Sequence, residues 1–145
     1  MNVRVIPVRG DYRFFMDIAT RWSDNDMFGH LNNVLYYRFF EAIVVKFSTE
    51  TVNIDFMESR IIPYAAESLC RFHRPLSFPE TVTGALKVEH LGKTSVRYGL
   101  ALFGTDNDQA AASGHWVHVF VERDNPRPIA IPSEIKDRLE AMLQK

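Results

Sequence analysis

Residues 34–51, VLYYRFFEAIVVKFSTET, repeat their apolar side chains at helical spacing, and the stretches that follow repeat theirs at a period of two. One long helix followed by several strands is a narrow fold specification. In the helical stretch Leu35, Tyr36, Phe39, Phe40, Ile43, Val44 and Phe47 recur, and the charges are mainly Arg38, Glu41 and Lys46. A helix apolar on most of its sides is expected to be buried. Asn32 or Asn33 stands where an N-cap is needed.

The strands read as follows. IIPYAAESLCRF sets Ile62, Tyr64, Ala66, Ser68, Cys70 and Phe72 on one face and ends at His73-Arg74-Pro75. TVTGALKVEHL sets Val82, Leu86 and Val88 against Thr83, Lys87 and Glu89. TSVRYGLALF places Val96, Tyr98, Leu100 and Leu102 on one side, and AASGHWVHVFVER forms a last long strand. Ser77–Glu80, Gly92-Lys93 and Gly104–Asp108 supply the turns, and Asp124–Pro128 is expected to stop the last strand. Short connections predict antiparallel neighbours. A further strand is expected from Arg13 to Trp22. PSEIKDRLEAMLQK reads as a closing amphipathic helix, capped by Ser133, with a stripe of Ile135, Leu139, Met142 and Leu143. The expected class is α+β, a sheet packed on one long helix in a single domain over 1–145. Such a sheet leaves an open edge that a dimer would cover.

Composition narrows the function. A net charge of −1 provides no basic field for nucleic acid or an anionic membrane. The one cysteine, Cys70, cannot form an intramolecular disulfide and reads as a small buried side chain. No signal peptide and no membrane-spanning apolar run is read, so a cytoplasmic protein is expected.

The polar stretch before the helix, DNDMFGHLNN, carries the chemistry. Asp24, Asp26 and Gly29 match positions 1, 3 and 6 of a calcium loop, but positions 5 and 12 are Phe28 and Leu35, which cannot ligate through their side chains. A transition-metal site from Asp24, Asp26 and His30 fits on residue type alone. A capped turn explains Asp24, Asn25, Gly29 and the asparagines. It leaves unexplained a second acid, Asp26, beside Met27 and Phe28 and just before an apolar helix, because a carboxylate in an apolar niche is costly unless paired or used.

RWSDNDMFGHLNNVLYYRFFEA resembles the signature of the hotdog-fold thioesterases of the 4-hydroxybenzoyl-CoA thioesterase type: an Asp-x-Asp turn, a Gly-His-hydrophobic-Asn-Asn step and a helix running Tyr to Phe-Glu. CRFHRPLSFPETVT, GKTSVRY and VFVERDNPRP with IPSEIKDRL extend the likeness over most of the chain. The resemblance implies a hotdog fold, an antiparallel sheet of five to six strands wrapped around one long helix. It implies a homodimer or homotetramer with sites near the interface, and acyl-CoA hydrolysis without metal or cofactor. It assigns the catalytic acid to Asp26 and the amides that polarise the thioester carbonyl to the helix start, where Gly29, His30 and Leu31 stand.

Substrate contacts are expected from Asn33 and Tyr37, an apolar acyl pocket from Met27, Phe28 and the helix aromatics, and phosphate contacts from Arg71 and Lys93, with His73, Arg74 and Arg97 as further candidates. Asp24 is read as a turn acid and Glu41 as a hydrogen-bonded structural acid of the helix. Met27-Phe28-Gly29 departs from the Asp-Pro-Ala-Gly of one subgroup, which points to the broader acyl-CoA members rather than to 4-hydroxybenzoyl-CoA. Two rival readings are a β-hydroxyacyl-thioester dehydratase or hydratase, using His30 with Glu41, and a non-catalytic acyl-thioester-binding protein. Acyl carrier protein is an alternative carrier of the substrate.

Overall fold

The computed structural model of the chain describes residues 5–143. These form strands β1 Phe14–Ile18, β2 Ile61–Phe72, β3 Val82–Leu91, β4 Ser95–Phe103, β5 Ala112–Glu122 and β6 Asn125–Pro128, and helices α1 Asn33–Glu50 and α2 Ser133–Ala141. The strands make one antiparallel sheet in the order β1-β3-β4-β5-β2, with β6 paired to β5.

Helix α1 lies on one face of this sheet. Tyr36, Phe40, Ile43, Val44 and Phe47 are buried against Val82, Leu86, Val88, Val96, Tyr98, Leu100 and Leu102, the apolar sides of β3 and β4. Each large side chain buried this way contributes about 1.5–3 kcal/mol. Gly84 of β3 permits the close approach, because a Cβ there would sit 2.6 Å from Ile43 Cδ1. On the opposite face the segment before β1 places Tyr12 over Ala85, Ala101, Phe103 and Ala110 in a smaller cluster.

Several expectations change. The segment from Arg13 to Trp22 is strand only over Phe14–Ile18, and Trp22–Asp24 turns as a short 3-10 helix. Helix α1 is buried along one stripe only: Val34, Tyr37, Arg38, Glu41 and Val45 are exposed, because a single sheet covers a single side of it. Strands β2 and β3 are not neighbours, although a short connection joins them: β3 pairs with β1 and β4, and β2 pairs with β5 at the far edge. A bulge between Ala65 and Glu67 breaks the expected alternation of β2.

The Asp124 region turns rather than stops the chain. Asn125–Pro128 returns as β6, where prolines are tolerated because the strand is short and lies at an edge. Helix α2 has Pro132 as its N-cap residue, with Ser133 already in the first turn. Leu139 is fully buried, and Ile135, Met142 and Leu143 pack against the core. The last two residues of the expected helix, Gln144 and Lys145, lie outside the described residues, as do residues 1–4.

Candidate active site

Between β1 and α1 the chain makes two turns in succession, each closed by an aspartate. Asp24 Oδ2 accepts the Arg21 amide at 2.8 Å, and its side chain is 5% exposed. Two residues later Asp26 Oδ1 accepts the Phe28 amide at 2.9 Å, an Asx turn. Within that turn the Asp26 amide donates to His30 O at 2.8 Å and the Gly29 amide donates to Asp26 O at 3.0 Å. Gly29 has φ +78°, a left-handed conformation that glycine adopts without penalty. The turn is tied to the segment after β2: the Leu31 amide donates to Leu76 O at 2.7 Å, Ser77 Oγ to Gly29 O at 3.0 Å, and the Phe78 amide to Asn25 Oδ1 at 3.1 Å.

Asn32 ends the turn and starts the helix. Its side chain accepts the Val34 amide at 3.0 Å and its carbonyl accepts the Leu35 amide at 3.0 Å. The Asn33 amide, in the first helical turn, is left with no acceptor among the described residues, and the same holds for the His30 amide. Unsatisfied amides at a helix start carry partial positive charge and favour an anion.

The residues of the turn and the helix start line one cavity of about 330 Å³. Asp26, Phe28, His30 and Leu31 line it from the turn, Asn33 and Tyr36 from α1, and Phe72, His73, Arg74 and Pro75 from the end of β2. The rings of Tyr36 and Phe72 meet edge to face at 4.9 Å. Burial raises the Tyr36 phenol above its ordinary value, so it stays protonated at neutral pH. His73 Nε2 hydrogen-bonds Ser113 Oγ at 2.8 Å. Among the described residues no three His, Cys, Asp or Glu side chains converge closely enough to hold a metal ion, so Asp24, Asp26 and His30 form no such cluster.

The comparisons with known proteins agree with this layout. The model of the thioesterase-like superfamily matches residues 20–139, which takes in the turn, α1 and every strand after it. The chain belongs to that superfamily. It is a thioester hydrolase, and its sheet and central helix form the hotdog fold expected of one. The crystal structure of the PA5185 protein from Pseudomonas aeruginosa is 42% identical, with a TM-score of 0.91 over 96% of this chain and 97% of that one. The PA2801 protein of the same organism is 30% identical, with a TM-score of 0.78 over 85% of this chain and 95% of that one. A thioesterase from Thermus thermophilus, complexed with coenzyme A and Zn, shares the fold at 23% identity, with a TM-score of 0.78 over 91% of this chain and 95% of that one.

Not every residue expected at the thioesterase site lines the cavity. Met27 is 93% exposed and is not part of the lining, whereas Phe28, 75% exposed, forms part of the wall. Tyr37 is 40% exposed on the uncovered side of α1, one residue round the helix from Tyr36, and Glu41 is exposed on the same side. Arg71 faces the opposite side of the sheet from Phe72, as strand alternation requires, and borders a separate cavity with Lys87, Glu89, Arg97 and His115. Lys93 stands in the β3–β4 turn, where its carbonyl accepts the Ile131 amide at 2.9 Å, and it lines neither cavity. Tyr36 is the helix aromatic that lines the cavity, whereas Phe72 and Pro75 are wall residues that the sequence did not flag. They read as a strand end, and only the docking of β2 beside the turn brings them to Asp26. Cys70 is a structural thiol, pushed up to about 12 by burial.

Proposed function

We propose that this thioesterase hydrolyses an acyl-CoA thioester to the free acid and CoA, with Asp26 as base or nucleophile. The observation that carries the reading is that Asp26 and Asn33, whose amide has no acceptor among the described residues, line one cavity. As a base, Asp26 takes a proton from water while the water oxygen bonds to the thioester carbon. As a nucleophile, its own oxygen forms that bond, giving a mixed anhydride that water then cleaves. In either route negative charge develops on the carbonyl oxygen, the C–S bond breaks and the thiolate leaves to take up a proton. A donor aimed at the oxyanion is typically worth about 10²–10³ in rate.

The sequence reading assigned those donors to Gly29, His30 and Leu31. The Gly29 and Leu31 amides already have intrachain acceptors, so the oxyanion hole is proposed at the amides of His30 and Asn33. The aromatic wall of Phe28, Tyr36 and Phe72 suits an apolar acyl segment. Coenzyme A in the related Thermus thermophilus thioesterase supports CoA as the carrier.

A β-hydroxyacyl dehydratase would need His30 and Glu41 together, and Glu41 lies on the exposed side of α1, outside the cavity. The test is thiol release from a panel of short, long and aromatic acyl-CoAs, paired with Asp26→Asn. Hydrolysis lost in the variant is expected. Normal hydrolysis by a folded Asp26→Asn would overturn the assignment. A single turnover in ¹⁸O-water gives label in the Asp26 carboxyl only by the nucleophilic route, with water attacking the aspartyl carbonyl of the anhydride, and trapping of the acyl-enzyme checks the same route when water attacks the acyl carbon.

A further inference from the structure

One arginine lies on the wall between the Asp26 cavity and its neighbour. Arg74 lines the cavity of Asp26 and also a second one, about 490 Å³, bordered by Glu80 and residues 104–107. Its Nε is buried with no hydrogen-bond partner. Its Nη2 reaches the Gln109 carbonyl only at 3.5 Å, and none of the ion pairs among the described residues includes it. The nearby Glu80 is engaged elsewhere, with Oε2 accepting the Ser77 amide at 3.0 Å. Gly104 makes the room, because a Cβ there would lie 2.8 Å from Glu80 Oε1 and 3.3 Å from Arg74 Nη2.

A partly buried guanidinium with no direct ion pair and an unpartnered Nε has donors to spare, and its planar fork matches a carboxylate or phosphate. The other candidate cations are placed differently. Arg97 is held by Glu89 at 3.6 Å and by His115 at 3.1 Å, Arg71 faces the far side of the sheet, and Lys93 lines neither cavity.

We propose that Arg74 binds an oxyanion of the substrate, either a carboxylate on the acyl group or a phosphate on the thiol carrier, and thereby sets which thioesters the enzyme accepts. The inference rests on the Asp26 cavity being the site of hydrolysis.

The test compares wild type, Arg74→Ala and Arg74→Lys on butyryl and succinyl groups, each carried on coenzyme A and on N-acetylcysteamine, which has no phosphate. If the acyl carboxylate is bound, Arg74→Ala raises KM about 10–100-fold for both succinyl thioesters and spares both butyryl ones. If the carrier phosphate is bound, it raises KM for both coenzyme A thioesters and spares both N-acetylcysteamine ones. Arg74→Lys, which keeps the charge and loses the fork, recovers part of the loss in either case.

Unchanged kinetics on every thioester would overturn the proposal. So would an equal loss on every thioester with a lowered thermal midpoint, which would make Arg74 a structural peg. Calorimetric titration of coenzyme A and of succinate gives a readout without turnover. At least a tenfold weakening of either in Arg74→Ala supports the proposal, and equal affinity, or no binding of either, overturns it. Turnover retained by Asp26→Asn would overturn the catalytic reading while leaving the discrimination by Arg74 measurable on its own.

Discussion

The Asp26 carboxylate accepts the Phe28 amide at 2.9 Å, so the residue proposed for the chemistry also closes the turn that presents it. Asparagine offers a carbonyl oxygen in the same place and can keep that bond, which makes Asp26→Asn a clean probe. The expected result is a fall of about 10²–10⁴ in kcat with the thermal midpoint nearly unchanged. Asp26→Ala should lose both activity and about 1 kcal/mol of stability, because the Phe28 amide loses its acceptor. Activity and urea denaturation measured on the same preparations check both.

Asp24, two residues earlier, should behave in the opposite way. It is buried and accepts the Arg21 amide at 2.8 Å, with the Arg21 guanidinium at 3.4 Å. Because the Arg21 side chain is 68% exposed, the amide bond matters more than the ion pair. Asp24→Ala is expected to cost about 1–3 kcal/mol and to leave a reduced but measurable turnover in whatever fraction stays folded. Full stability with abolished turnover would move catalysis from Asp26 to Asp24.

His118 of β5 gives a pH dependence. Burial lowers its pKa from 6.5 to about 4. Below pH 6.5 the unfolded chain takes up a proton that the folded chain refuses until about pH 4. The stabilising contribution is therefore complete above 6.5 and is lost as pH falls towards 4, by about 3 kcal/mol in total. Denaturation at pH 7.5 and 4.5 should show His118→Gln losing about that much less stability than wild type across the interval. An identical loss in both proteins would refute the assignment.

Strand β2 predicts association. It ends the sheet, and its outer edge, through Tyr64, Ala65 and Ala66, is exposed over a run with no partner strand among the described residues. An unpaired edge of this length is a template for a second copy. Light scattering is expected to give a dimer or a larger symmetric assembly. A fully active monomer would rule out a site that depends on that interface.

The sequence was legible wherever a local rule acts alone. The N-cap at Asn32, the helix that follows, the apolar sides of β3 and β4 and the glycine of the turn follow from spacing and backbone chemistry over a few residues. The sequence failed where a decision belongs to two distant segments. The pairing of β2 with β5 rather than β3 depends on β1 having taken the free edge of β3. The exposure of Tyr37 and Glu41 depends on how many sides of α1 a single sheet can cover.

The candidate site divides in the same way. The sequence by itself determined the DNDMFGHLNN turn, with Asp26 ahead of a capped helix, because Asx turns, left-handed glycine and N-caps are properties of neighbouring residues. Only the tertiary structure decided which amides stay free, since the acceptor that takes the Leu31 amide is Leu76, far along the chain. It alone decided that Arg74 rather than Arg71 faces the cavity, because strand alternation and the docking of the segment after β2 against the turn set that direction.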